Sequence, residues 1–156
     1  MRTRLFGLIL CFLSLAAVSA GDSSFKMTAP EKKLLELTNL ERKKKDLSPL
    51  APSPLLFKIA RAHSENMAKQ AKMDHELDGK NPFDRLKDGG YKYLKAGENV
   101  GAGDAEIPIA DLMKAWMDSP MHRENILRPD FTEVGFGAVK DKKGDVYYTQ
   151  LFGKPK

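Results

Sequence analysis

Two runs near the C-terminus constrain the fold more than any other part of the chain. Thr132 to Val139 and Asp145 to Phe152 are strand-like and joined by a turn through Lys142-Lys143-Gly144. On the first run Val134, Phe136 and Ala138 alternate with Gly135 and Gly137. On the second, Val146, Tyr148 and Phe152 face one way while Tyr147 and Leu151 face the other. Apolar groups on both faces require a sheet covered on both sides. Two glycines on one face let a packed element approach closely.

The covering elements precede the strands. Thr28-Ala29-Pro30-Glu31 reads as a capping box, with Leu34, Leu37 and Leu40 at helical spacing behind it, so a helix is predicted to about Lys45. Leu47 to Pro52 is a proline-punctuated connector. Ser53-Pro54 opens a second helix, to about Lys72, whose buried face is Leu56, Ile59, Ala60, His63 and Met67. Met73 to Lys80 has no periodicity and reads as loop. Asn81-Pro82 caps a short helix that Gly89-Gly90 ends, and Tyr91 to Leu94 reads as a short strand. Ile109, Leu112, Met113 and Trp116 mark a fourth helix, stopped by Asp118-Ser119-Pro120, and Ser119 is placed to cap a further helical turn bearing His122. Helices followed by strands give an α+β class and an α-β-α sandwich.

Arg2 and Arg4 before the apolar run Leu5 to Val18, with Val18-Ser19-Ala20 behind it, read as a signal peptide over residues 1–20. The run is too short for a spanning helix, so no membrane span is expected after cleavage. The sole cysteine, Cys11, lies inside it, and a mature chain entering an oxidising compartment would carry no disulfide. Residues 21–27 read as a flexible polar N-terminus and 28–156 as one domain. Loss of Arg2 and Arg4 leaves 24 Lys and Arg against 21 Asp and Glu, a net +3, too modest for a nucleic-acid partner. The densest basic run, Arg42 to Lys45, reads as a solvated helix end, with an anionic cell-surface polymer as its second reading.

The polar groups with a chemical use lie mostly between Lys95 and Leu127. Glu98 reads as a carboxylate in a glycine-bounded turn, Gly101 to Asp104 as flexible loop, and His122 as an imidazole near a helix start. His75 sits upstream. Its separation from Glu98 is 23 residues and that of Glu98 from His122 is 24, so only tertiary folding brings them together. Two imidazoles and one carboxylate make a first shell for a divalent cation such as zinc with a position left for water. His63, on a buried helix face, reads as a supporting histidine donating to a backbone carbonyl. Trp116 at helical spacing reads as core. Ser119 could be drawn with His122 and Glu98 as a nucleophilic triad, but no G-x-S-x-G elbow is present and a serine before proline is usually a cap. Gly97, Gly101 and Gly103 lack the ending of a phosphate loop.

Several motifs run in fixed order: Leu35-x-Leu37-Thr38-Asn39-x-Glu41-Arg42, Ala60-Arg61-Ala62-His63-Ser64-x-x-Met67-Ala68, Asp74-His75, Pro82-Phe83-Asp84-Arg85-Leu86 and Gly97-Glu98-Asn99-Val100. They continue with Ala115-Trp116-Met117-x-Ser119-Pro120-x-His122-Arg123-x-Asn125-Ile126-Leu127 and Phe131-Thr132-Glu133-Val134-Gly135-Phe136-Gly137. Together they resemble the CAP superfamily of cysteine-rich secretory, antigen 5 and pathogenesis-related 1 proteins, in its disulfide-free bacterial branch. The resemblance covers about residues 31–153. It implies a three-layer α-β-α sandwich with a small, mainly antiparallel sheet and a solvent-open cleft. Many members line that cleft with two histidines and two glutamates. By position His75, Glu98 and His122 match three of the four. The place of the remaining glutamate reads Met117-Asp118-Ser119, leaving the shorter Asp118 as a possible fourth cleft group, with Asn99 and Asn125 as supporting residues.

The expectation is a secreted, monomeric protein whose cleft binds a small or lipidic ligand or a cell-surface polymer, linked to a divalent metal. Binding is favoured over catalysis. The alternative is a metal-assisted hydrolase of extracellular peptide or wall polymer.

Overall fold

The structure, a computed structural model, describes residues 25–156. The leader expected over residues 1–20, with Cys11, lies outside them. Of the stretch 21–27 expected to be flexible, residues 25–27 are docked: Phe25 meets Phe57 edge-on at 5.0 Å and Arg61 donates to the Lys26 carbonyl at 2.8 Å.

Five helices and four strands follow among the described residues. They are α1 Ala29–Lys43, β1 Ala51–Pro52, α2 Pro54–Gln70, α3 Pro82–Asp88, β2 Tyr93–Asp104, α4 Ile109–Asp118, α5 Pro120–Leu127, β3 Glu133–Lys140 and β4 Asp145–Pro155. The strands form one sheet in the order β1-β3-β4-β2, with β1 parallel to β3 and the other pairs antiparallel. One layer is α2 with α3; the other is α1, α4 and α5. The sandwich expected from two-faced apolar strands is the architecture observed.

Close approach explains the β3 glycines. A Cβ on Gly135 would sit 2.2 Å from the Leu56 carbonyl carbon, and one on Gly137 2.4 Å from the Ala60 carbonyl oxygen, so α2 lies directly on β3. On the opposite face Val134, Phe136, Tyr148 and Phe152 join Leu34, Met113, Trp116 and Ile126 in the main core. Leu151 joins Leu56, Ile59, Ala60, Leu86 and Tyr91 under α2 and α3.

Local signals behave as their chemistry dictates at two helix starts. Thr28 and Glu31 form a complete capping box on α1, and Asn81 with Asp84 does the same on α3. Ser53 and Ser119 take the N-cap positions of α2 and α5, but neither side chain makes a capping hydrogen bond.

The structure corrects two readings. Gly97 to Asp104 is not turn and loop: it belongs to β2, a twelve-residue strand paired with β4. Its glycines answer to helix packing rather than chain reversal. A Cβ on Gly97 would lie 2.9 Å from Asn125 Oδ1, and one on Gly101 2.7 Å from Leu112 Cδ1. The basic run at the end of α1 is not wholly solvated either. Arg42 is 1% exposed and donates to the carbonyls of Ser48, Ile126 and Arg128, each at 2.9 Å, and of Phe131 at 3.4 Å. It binds the C-terminal end of α5, where a cation complements the helix dipole.

Candidate functional site

β2 is an edge strand, and its alternation sends successive side chains to opposite layers. Glu98 turns toward α3 and Val100 packs beneath α2 beside Met67 and Leu77. Asn99 and Gly101 turn toward α5 and α4.

Glu98 is the centre of one group. Its side chain is 1% exposed, and both carboxylate oxygens are taken. His75 donates from Nδ1 to Oε1 at 2.9 Å, and Arg85 donates from Nη2 to Oε2 at 2.7 Å. A carboxylate only accepts, so the His75 proton facing it is on Nδ1 and Nε2 is left for other partners. His75 is itself 47% exposed, whereas Arg85 is 12% exposed. Arg85 also fixes the loop that presents His75, donating from Nη1 to the His75 carbonyl at 2.9 Å and the Lys80 carbonyl at 2.8 Å. Behind that loop His63 is buried, and its Nε2 donates to the Asp74 carbonyl at 2.9 Å. Burial first, with Arg85 and His75 nearby adding to it, holds the His63 imidazole below its ordinary value of 6.5 despite the opposing pull of Glu98.

His122 comes from the other layer. Its helix is tied to β2 by an amide network: Asn99 Nδ2 donates to the His122 carbonyl at 3.1 Å, and Asn125 Nδ2 to the Glu98 carbonyl at 3.1 Å and Asn99 Oδ1 at 2.9 Å. Asn99 Nδ2 also reaches Gln150 Oε1 at 3.0 Å, and Gln150 Nε2 donates to Thr38 Oγ1 at 2.9 Å. Four elements are thereby joined through buried polar groups, each with a partner, as such groups require. Burial lowers the His122 imidazole from 6.5, and a charge on His75 pushes it the same way, so a proton on one ring opposes a proton on the other.

The remaining candidates lie elsewhere. Trp116 is 2% exposed core, with Nε1 donating to the Val100 carbonyl at 2.9 Å. Asp118 is exposed on α4 and accepts from Lys114 at 2.6 Å; it shares no hydrogen bond with His75, Glu98 or His122. Arg85, Gln150 and Thr38 were not singled out from the sequence. The signal for Arg85 was physical: a carboxylate facing a covered sheet needs a cation, and an arginine on the adjacent capped helix supplies it.

The side chains as placed do not fit a divalent cation held by His75, Glu98 and His122. Among the described residues no group of three His, Cys, Asp or Glu side chains is positioned to hold one. The reason is local: Glu98 has both oxygens engaged, one of them by a guanidinium that already supplies the positive charge.

Comparison with known proteins agrees with the geometry. Residues 35–152 match the Cysteine-rich secretory protein family, CAP. The chain is 43% identical over 129 residues to the uncharacterized protein YkwD of Bacillus subtilis, covering 82% of this chain and 49% of that one. It thus spans about half of that relative's length. An outer surface protein of Borrelia burgdorferi has the same fold, with TM-score 0.77 at 24% identity, over 85% of this chain and 97% of that one. An extracellular protein containing an SCP domain from Bacillus anthracis gives 0.72 at 26% identity, over 84% and 45%. More distant structures of this fold include NaASP2 with zinc, TM-score 0.58 at 16% identity over 86% and 88%. No helix among the described residues is long and apolar enough to cross a membrane. A family match over three quarters of the sequence, on a sandwich whose edge strand carries the Gly-Glu-Asn segment, makes this chain a member of the CAP family of cysteine-rich secretory proteins.

Proposed function

We propose that the protein is an exported ligand-binding module whose cleft presents the His75 and His122 imidazoles over the edge of β2. The observation that carries this reading is the anchoring of a half-exposed imidazole to a 1% exposed carboxylate. Glu98 fixes the ring and tautomer of His75, Arg85 balances the carboxylate charge, and Nε2 is preorganised to meet a ligand. Preorganisation of this kind lowers the cost of binding. His122, whose protonation burial and a charge on His75 both oppose, supplies a second imidazole.

The second reading is a hydrolase of extracellular peptide or wall polymer. The His75–Glu98 pair favours it, since a carboxylate-oriented imidazole is the arrangement of a general base.

Side-chain NMR of His75 and His122 during titration with small acidic, peptide, glycan and lipid panels tests both readings. Saturable shifts without turnover support the binding module. Turnover that is lost in His75→Ala supports the hydrolase. Panels that move neither ring overturn both. Zinc titration of the wild type against His75→Ala/His122→Ala decides the metal separately. Equal uptake by the two proteins removes any metal from the cleft, and uptake confined to the wild type restores it.

A further inference from the structure

A hollow of about 550 Å³ lies where α3 meets the start of β2 and the end of β4. Its walls include Phe83, Tyr91 and Tyr93, with Lys87, Lys92 and Lys156 around them. The aromatic rings form a fixed stack. Phe83 lies 6.3 Å from Tyr93 at a 34° tilt, and Tyr93 lies 6.3 Å from Tyr91 at 15°. Tyr91 is buried and its hydroxyl donates to Glu133 at 2.9 Å, so the stack is anchored from within while Phe83 keeps 49% of its surface exposed.

Three lysines and one carboxylate, Asp84, line this hollow, so cations are in excess there. Lys87, Lys92 and Lys156 have no carboxylate partner among the described residues. Of the nearby acids, Asp88 is paired with Lys80, whereas Asp84, which accepts from the Asn81 backbone amide, and Glu133, which accepts from Tyr91, keep their charge. Anchored rings offering an apolar face, beside lysines with free ammonium groups, match a molecule with a flat C–H face and an anionic substituent.

We propose that this hollow binds an acidic polysaccharide, a sugar ring lying on Phe83 and Tyr93 while its carboxylate or phosphate meets Lys87 and Lys92. C–H faces of sugars pack on aromatic rings through dispersion and weak C–H contacts. The ammonium groups act as adaptable point charges on the anion. A single-stranded nucleic acid would use the same groups, but two adjacent rings on one short platform give no run of stacking sites for successive bases. The site is separate from the His75 and His122 cleft, although α3 serves both through Phe83 and Arg85.

The test is titration of the full chain with an oligomer of galacturonic acid, read by NMR shifts and calorimetry. A neutral galactose oligomer and oligo-dT serve as the other arms. The acidic oligomer is expected to bind, weaken with salt, shift Phe83 and Tyr93, and be unaffected by His75→Ala. Affinity should fall about tenfold, equivalent to about 1.4 kcal/mol, in Lys87→Glu/Lys92→Glu and again in Phe83→Ala. Lys87→Gln/Lys92→Gln, which removes charge without reversing it, should give a smaller loss. These side chains are exposed, and the far-ultraviolet spectrum of each variant verifies its fold. Equal binding of the neutral oligomer, preference for oligo-dT, no binding in any arm, or undiminished binding by the lysine variants each overturns the proposal.

Discussion

Arg85 Nη2 donates to Glu98 Oε2 across 2.7 Å, and the carboxylate that it meets is 1% exposed. One guanidinium therefore neutralises the buried acid, holds the His75 and Lys80 carbonyls, and joins α3 to the edge strand. The Glu98 group is organised around an internal cation supplied by the chain itself.

Breaking that pair from one side should be costly. Arg85→Met leaves Glu98 charged and without its cation, and a loss of about 3 kcal/mol is expected in urea unfolding. Arg85→Met/Glu98→Leu removes both charges and should recover most of the loss. A double variant no more stable than Arg85→Met would show that the arginine acts through its carbonyl bonds instead.

Arg42 is the second buried guanidinium, bonded only to backbone carbonyls from Ser48 to Phe131. Arg42→Met should destabilise by about 3 kcal/mol, because several carbonyls lose a charged donor. Hydrogen exchange in α5 should accelerate more than in α2. Uniform acceleration across the molecule would mean that Arg42 supports the whole fold rather than the helix bearing His122.

Glycine packing gives a ranked prediction. The Cβ added by Gly137→Ala meets Ala60 backbone at 2.4 Å, whereas that added by Gly101→Ala meets the end of Leu112 at 2.7 Å. Backbone cannot turn aside and a leucine methyl can. Gly137→Ala should cost about 3 kcal/mol and Gly101→Ala about 1 kcal/mol. Equal costs in thermal unfolding would count against direct helix-on-strand contact as the reason for these glycines.

Acid sensitivity should trace in part to Glu31. Burial alone would raise its carboxyl, but hydrogen bonds from Arg61 and Thr28 outweigh burial and hold it below the ordinary 4.5. A carboxyl depressed in the folded state contributes stability above its unfolded value, and that contribution is lost as pH falls through the folded value. Glu31→Gln should therefore be less stable than wild type at pH ~7, with the gap closing below about pH 4.5. A gap of constant size from pH 7 to pH 3 would sink this assignment.

His63 should act at higher pH in the same direction. Its folded imidazole lies below 6.5, so the unfolded chain binds more protons and stability declines as pH falls from about 6.5. His63→Gln should flatten that segment of the curve. An unchanged slope would mean that His63 binds protons alike in the folded and unfolded chain.

What the sequence determined by itself was local or periodic. The capping boxes at Thr28 and Asn81 are contacts over three residues, and the two-faced pattern of β3 and β4 follows from a side-chain period of two, so both could be read from neighbours along the chain. The motif order was enough for the fold family, and it named His75, Glu98 and His122. Tertiary structure decided what those groups meet. Gly97 to Asp104 looked like turn and loop because glycine is permissive locally, and only the pairing with β4 makes it a strand. Arg42 reads as part of a solvated helix end, and Arg85 carries no reading beyond its motif, because helical spacing does not reveal which carbonyls or carboxylates will surround a side chain after packing. The bonds His75–Glu98 and Arg85–Glu98 span 23 and 13 residues, and Gln150–Asn99 and Gln150–Thr38 span 51 and 112. None of these separations matches a helical or strand period that neighbours along the chain could reveal.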